Sequence, residues 1–233
     1  MILFTKLFLA HLIGDFVLQP YRWVVHKEAN KVASKYLFFH VLVHFAVTMI
    51  LLWDWEYWKI ALVIVVSHYV IDLAKLYANA FFKNKSIPFF IDQFLHIIVL
   101  YACAYYGNLI GQTMFLMEQI DWHLVTAIVF VSFPSAIIMG ILLEGMSDQI
   151  ELNHKSLPNA GKYIGIIERL FVLVFIILGR WEAIGLLITA KSVFRFNDLK
   201  ESNNRKLTEY ILIGTLLSFG LAIITGIIYT QLK

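Results

Sequence analysis

The stretch Tyr57–Leu76, YWKIALVIVVSHYVIDLAKL, decides the fold. Its twenty residues rise about 30 Å as an α-helix, which is the thickness of a bilayer's hydrocarbon core. Inside this apolar body stand two groups able to bind a metal ion, His68 and Asp72, four residues apart. A membrane span and a chemical site are therefore written into the same residues.

Outward from it, comparable apolar runs cover about 2–19, 35–53, 88–106, 122–145, 161–179, 181–197 and 207–229, making eight predicted spans in all. The seventh is short and carries Lys191 and Arg195. The composition agrees: 60% of the 233 residues are hydrophobic and 15% charged, with a mean hydropathy of +0.75. Soluble domains run nearer half apolar and a quarter charged. The expected fold is thus an all-α polytopic membrane bundle, with a four-helix half over 1–110 and a second helical half over 111–233. Lys6, His11 and Asp15 inside the first run argue for a retained span over a cleaved export signal. The lone Cys103 allows no internal disulfide. A net charge of +3 gives no reason to expect nucleic acid.

Cations gather on alternate connections: Arg22, Lys27, Lys31, Lys35, Lys83, Lys85, Lys155, Lys200, Arg205 and Lys206. Asp54, Glu56, Glu118, Asp121 and Glu182 occupy the others. By the positive-inside bias this predicts both termini outside the cytoplasm. Pro20, Pro88 and Pro158 fall at span edges, whereas Pro134 lies inside the fifth run and predicts a kink.

Each of the first four runs carries one pair of potential ligands at i and i+4. The pairs are His11 with Asp15, His40 with His44, His68 with Asp72, and Asp92 with His96. That spacing puts both members on one helix face, about 6 Å apart along the axis. Measured from the expected cytoplasmic edge, Asp15, His40, Asp72 and Asp92 share one depth, and His11, His44, His68 and His96 share another about one turn deeper. The order within the pair reverses as the helices alternate in direction. Two stacked rings follow, one Asp-rich and one all-His. A single buried His is usually a satisfied core residue, and a His–Asp pair can be only an internal hydrogen bond. Eight such groups at matched depth are harder to dismiss, because each intramembrane ionisable group costs roughly 2.5–3.5 kcal/mol or more. A divalent metal is expected, zinc first by ligand type, as one ion or two, with iron and manganese left open. Asp15, Asp72 and Asp92 are the expected catalytic carboxylates. His26, His123 and His154 read as ordinary loop or surface histidines.

A second polar set lies later in the chain: Glu168 and Arg169 in IIERL, Lys191 and Arg195 in AKSVFRF, and Glu209 with Tyr210 in TEYILIGT. Arg169, Lys191 and Arg195 are candidates to hold an anionic head group. Internal ion pairing with Glu168 or Glu209 is the structural alternative. The segment 20–35, PYRWVVHKEANKVASK, mixes aromatics with cations and reads as an interfacial loop or short amphipathic helix.

At AHLIGDFVLQ, HVLVH, SHYVIDLAK and IDQFLH, across the first 110 or so residues, the chain resembles an uncharacterised family of bacterial and phage inner-membrane proteins, domain of unknown function 3307. That family name brings no activity. The recurring H-x-x-x-D also resembles membrane-bound metal-dependent hydrolases and, more distantly, helical zinc phospholipases C and nucleases. This likeness implies metal-ligand roles for His11, Asp15, His68, Asp72, Asp92 and His96; His40 and His44 depart from the motif. The resulting expectation is a metal-dependent membrane hydrolase acting on a lipid-borne ester or phosphoester, its partners the membrane and a lipid substrate. A di-iron membrane oxidoreductase, a metal transporter and a non-enzymatic metal or haem protein are the rivals.

Overall fold

The computed structural model describes residues 1–82, 84–109, 120–147, 160–202 and 205–233, with backbone only for 194–202 and 205. Lys83, Glu118, His154, Lys155 and Pro158 lie outside the described residues, as do the side chains of Arg195, Lys200 and Arg205.

All described regular structure is helical. In chain order the helices are α1 (Ile2–Leu12), α2 (Tyr21–Asn30), α3 (Lys35–Leu52), α4 (Trp58–Ala78), α5 (Ser86–Leu109), α6 (Trp122–Ser132), α7 (Pro134–Ser147), α8 (Ala160–Ile177), α9 (Trp181–Ser202) and α10 (Arg205–Leu232). Among the described residues, five helical segments are long and apolar enough to cross a bilayer, or six if the bent pair Ile2–Val17 and Tyr21–Ala33 counts as one span. This falls short of the eight apolar runs in the sequence. Segments α8 and α9 are helical where spans were predicted, but both carry internal charges, among them Glu168, Arg169 and Lys191. The first expected run is helical over Ile2–Val17, and it meets the segment after Pro20 at 85°. That segment, whose sequence allowed a loop or a helix, is α2.

By contacts the chain divides into two compact units, Met1–Thr126 and Ala127–Lys233. In the first, α1 packs on α3 and α5, and α4 packs on the same two helices, closing a four-helix ring. One end of this ring is apolar: Leu3 and Leu7 of α1, Ile60 and Ile64 of α4, and Leu100 and Ala104 of α5 form its core with Leu52 and Tyr57. Gly107 permits the closest approach there, since a β-carbon would sit 2.7 Å from a Leu3 methyl group. On α4 the inward residues continue every fourth position, through Ile60, Ile64, His68, Asp72 and Leu76, so that face changes from apolar to polar as it descends. Val63, Val66 and Val70 point outward and are each more than half exposed. A greasy outside around a polar inside suits a lipid solvent, which rewards exposed apolar surface and forces polar groups to find partners within.

In the second unit α10 packs on α7 and α8. The kink predicted at Pro134 is a break between α6 and α7 with Phe133 as the turn. Pro134 has no N–H to give Phe130, and the Ser135 hydroxyl donates to that carbonyl at 2.9 Å instead. The Ala136 amide turns to Phe133 O, which also takes the ordinary bond from Ile137 N–H, and among the described residues no backbone amide across the break reaches Val131 O or Ser132 O. Helix α8 ends at Gly179, whose φ of +68° allows Arg180 N–H to reach Phe175 O and its own N–H to reach Ile176 O, a Schellman closure.

Candidate metal centre

The four i, i+4 pairs meet inside the first unit. His11, His40, His44, His68, Asp72, Asp92 and His96 are all at most 3% exposed, and Asp15 alone stays partly open. The imidazoles of His44 and His68 lie 3.8 Å apart by ring centre, His68 and His96 4.1 Å, and His11 and His96 4.9 Å. This is the all-His layer.

Asp15 breaks the expected two-ring symmetry. Residues Ile13–Val17 form a π-turn, and Asp15 lies among the histidines instead of one level away from them. Its Oδ1 lies 3.0 Å from His44 Nε2, 3.2 Å from His40 Nε2 and 3.4 Å from His68 Nε2, and its Oδ2 lies 3.7 Å from His11 Nε2. The approach requires Gly14: a β-carbon there would stand 2.4 Å from the His44 ring.

His40 Nε2 is crowded by His68 Nε2 at 3.0 Å, Asp15 Oδ1 at 3.2 Å and Gln19 Nε2 at 3.0 Å. A neutral imidazole nitrogen offers one hydrogen or one lone pair, so it can satisfy only one of these three neighbours. A shared cation would resolve the crowding. Ligands on a tetrahedral zinc, bonded at 2.0–2.1 Å, stand about 3.3 Å from one another. The separations of Asp15 from three imidazole nitrogens, and of His40 from His68, bracket that value. Three sets of ligand atoms lie within 4.8 Å of one another: His11, Asp15, His44 and His68; His40, His68 and Asp72; and Asp15, Asp92 and His96. Two further atoms lack hydrogen-bond partners although buried, Asp92 Oδ1 and His96 Nε2, and these face each other at 3.5 Å.

Three groups complete the cluster that the sequence did not single out as site residues. Lys27 of α2 reaches Asp72 Oδ2 at 2.7 Å. Lys75 bridges Asp72 Oδ1 at 3.2 Å and Asp92 Oδ2 at 2.8 Å. The Gln93 amide donates to Asp15 Oδ2 and Asp92 Oδ2 at 3.0 and 3.1 Å, and its oxygen accepts from His11 at 3.1 Å. Lys75, three residues after Asp72, and Gln93, beside Asp92, were signals in plain view. Lys27 reads from the sequence only as a loop cation. Three carboxylates against two ammonium groups leave one formal negative charge, which one dication carrying one hydroxide would cancel and a second dication would overshoot.

The remaining histidines split. His26 Nδ1 bonds the Ser34 hydroxyl at 2.8 Å, and His123 Nδ1 bonds the Thr5 hydroxyl at 3.1 Å, both away from the cluster. Of the C-terminal candidates, Lys191 pairs with Glu168 at 2.5 Å. Arg169 gives its Nε hydrogen to Val131 O at 2.6 Å and reaches Ser132 O and Ser218 Oγ at 3.5 and 3.1 Å, so it serves the carbonyls freed by the break at Pro134.

The class that these features define is an all-helical protein with apolar helices fit for a membrane and buried His and Asp groups able to hold a metal ion. The chain belongs to the family described as protein of unknown function DUF3307, whose pattern matches residues 3–125, the stretch that contains every one of these ligands. No curated protein and no solved structure matches it.

Proposed function

We propose that the first unit is a membrane-embedded metal centre that hydrolyses a lipid-borne ester, with a phosphoester as the leading substrate class and one zinc-like ion as the resident metal. The observation that carries this reading is the convergence on Asp15 Oδ1 of three imidazole nitrogens from two other helices, at tetrahedral-edge distances. His40, His44, His68 and Asp15 are the proposed first ligands, with His11, His96, Asp72 and Asp92 beside them. A zinc-like ion supplies a water whose pKa is drawn towards neutrality and a Lewis acid for the ester oxygen. Asp92, with one carboxylate oxygen free, is the proposed general base, because Asp72 is occupied by two lysines. Asp15, the only ligand not fully buried, marks the side from which water and substrate reach the centre. On the charge bias of the loops, that side is the cytoplasmic leaflet of a bacterial inner membrane, with both termini on the far side.

The two lysines favour a second reading. Lys27 and Lys75 already neutralise two of the three carboxylates, and one protonated histidine would balance the third without any metal. The cluster is then a hydrogen-bonded polar core or proton path. Elemental analysis of purified protein, paired with turnover of lipid phosphates and acyl lipids, separates the two. Stoichiometric metal with hydrolysis supports the first, and a folded, metal-free protein supports the second.

A further inference from the structure

The second unit contains a cleft of about 470 Å³ whose wall carries Lys162, Arg169, Lys191 and Tyr210, with Ile137, Met139 and Leu143 as its apolar side. The charges there do not balance. Lys191 is neutralised by Glu168, but the guanidinium of Arg169, on a residue 3% exposed, bonds only neutral oxygens. Two of its five N–H groups have no partner among the described residues. Lys162 has no ion pair among the described residues. Gly165 leaves space for this arrangement, since a β-carbon would stand 3.1 Å from the guanidinium. A buried guanidinium whose hydrogen bonds go to neutral oxygens, and which shares the nearby Glu168 carboxylate with Lys191, favours an added anion beside it.

We infer that this cleft binds a phosphate group, held between Arg169 and Lys162, with the apolar wall receiving the chain of the amphiphile that carries it. The fork of a guanidinium matches two phosphate oxygens, and an ammonium adds a point charge without geometric demand. The cleft exceeds what inorganic phosphate fills, and its apolar side has no use for a free ion. The site lies wholly within the second unit, outside the stretch shared with the family, and does not depend on the metal reading.

Replacing Arg169 would also disturb the helix break, so the test uses two other positions. Full-length protein in phosphatidylcholine nanodiscs is titrated with phosphatidic acid and, separately, with inorganic phosphate. Saturable binding of phosphatidic acid is expected; Lys162→Ala weakens it about tenfold, the size of one charge-assisted contact. Glu168→Gln, which releases Lys191 from its carboxylate, tightens it. His68→Ala, which removes metal under the proposed function, leaves it unchanged. Binding of inorganic phosphate with equal strength and equal sensitivity to Lys162→Ala also supports the site, with a free anion as its source. Absence of saturable binding by either probe, or wild-type affinity in both variants, overturns the inference.

Discussion

Lys27 Nζ lies 2.7 Å from Asp72 Oδ2, with neither side chain more than 4% exposed, although 45 positions separate them in sequence. This contact ties the bent α2 segment to the floor of the bundle. Lys27→Met removes one of the two ammonium groups on the buried Asp72 carboxylate, leaving Lys75 on the other oxygen, and should cost about 1–3 kcal/mol of stability by thermal or denaturant unfolding in detergent. The paired change Lys27→Met with Asp72→Asn should recover most of that loss, and a double-mutant cycle reads the recovery. Strict additivity of the two changes would show that the contact carries no coupling.

Gly14 is the position where space, not chemistry, sets the site. A methyl group there meets three atoms of the His44 ring at 2.4–2.8 Å. Gly14→Ala should displace that ring, cost about 1–3 kcal/mol, and lower bound metal per protein. Wild-type stability together with wild-type metal content would contradict the packing described for Asp15 and His44.

The four ligand pairs were legible because each sits on consecutive turns of one helix, where sequence spacing alone fixes the shared face. His68 with Asp72 is the plainest case: Ile60 and Ile64 continue the same stripe in the apolar half. Three things were not legible. The π-turn at Ile13–Val17 shifts Asp15 towards the histidines, and no spacing rule announces an extra residue in a turn. The 85° bend after the first helix brings Lys27 under the bundle, a tertiary event that turns an apparent loop cation into a buried partner. Arg169, expected to hold an anionic head group or to pair with a carboxylate, gives two of its donors to carbonyls at the Pro134 break, on a different helix, and a third to Ser218.

That relation between Arg169 and Pro134 makes a sharp expectation. Arg169→Met leaves the Val131 carbonyl buried and unpaired, and should cost about 1–3 kcal/mol. Pro134→Ala restores the missing N–H and lets α6 run into α7, so Arg169→Met should cost less in that background. Unfolding of the four proteins gives the coupling, and an equal cost in both backgrounds would sink the idea that Arg169 serves the break.

Helix α5 runs from Ser86 to Leu109 and is long and apolar enough to cross a bilayer, which would put its ends on opposite faces of the membrane. With the native Cys103 replaced, a cysteine at Ser86 should react with a membrane-impermeant thiol reagent only from the cytoplasmic side. One at Asn108 should react only from outside. Labelling of both from one face would remove α5 as a span, and exchange of the two sides would invert the proposed orientation.

A metal ion held among Asp15, His40, His44 and His68 is open to direct test. The most direct measurement is the metal content of purified protein by inductively coupled plasma mass spectrometry, for the wild type beside Asp15→Asn and His68→Ala, each checked for folding by its thermal transition. The account predicts about one equivalent of a zinc-like divalent ion in the wild type, from the tetrahedral spacing of the ligand atoms, and its loss from both variants while they remain inserted and folded. A folded wild type free of metal, or variants that keep the full equivalent, would contradict it.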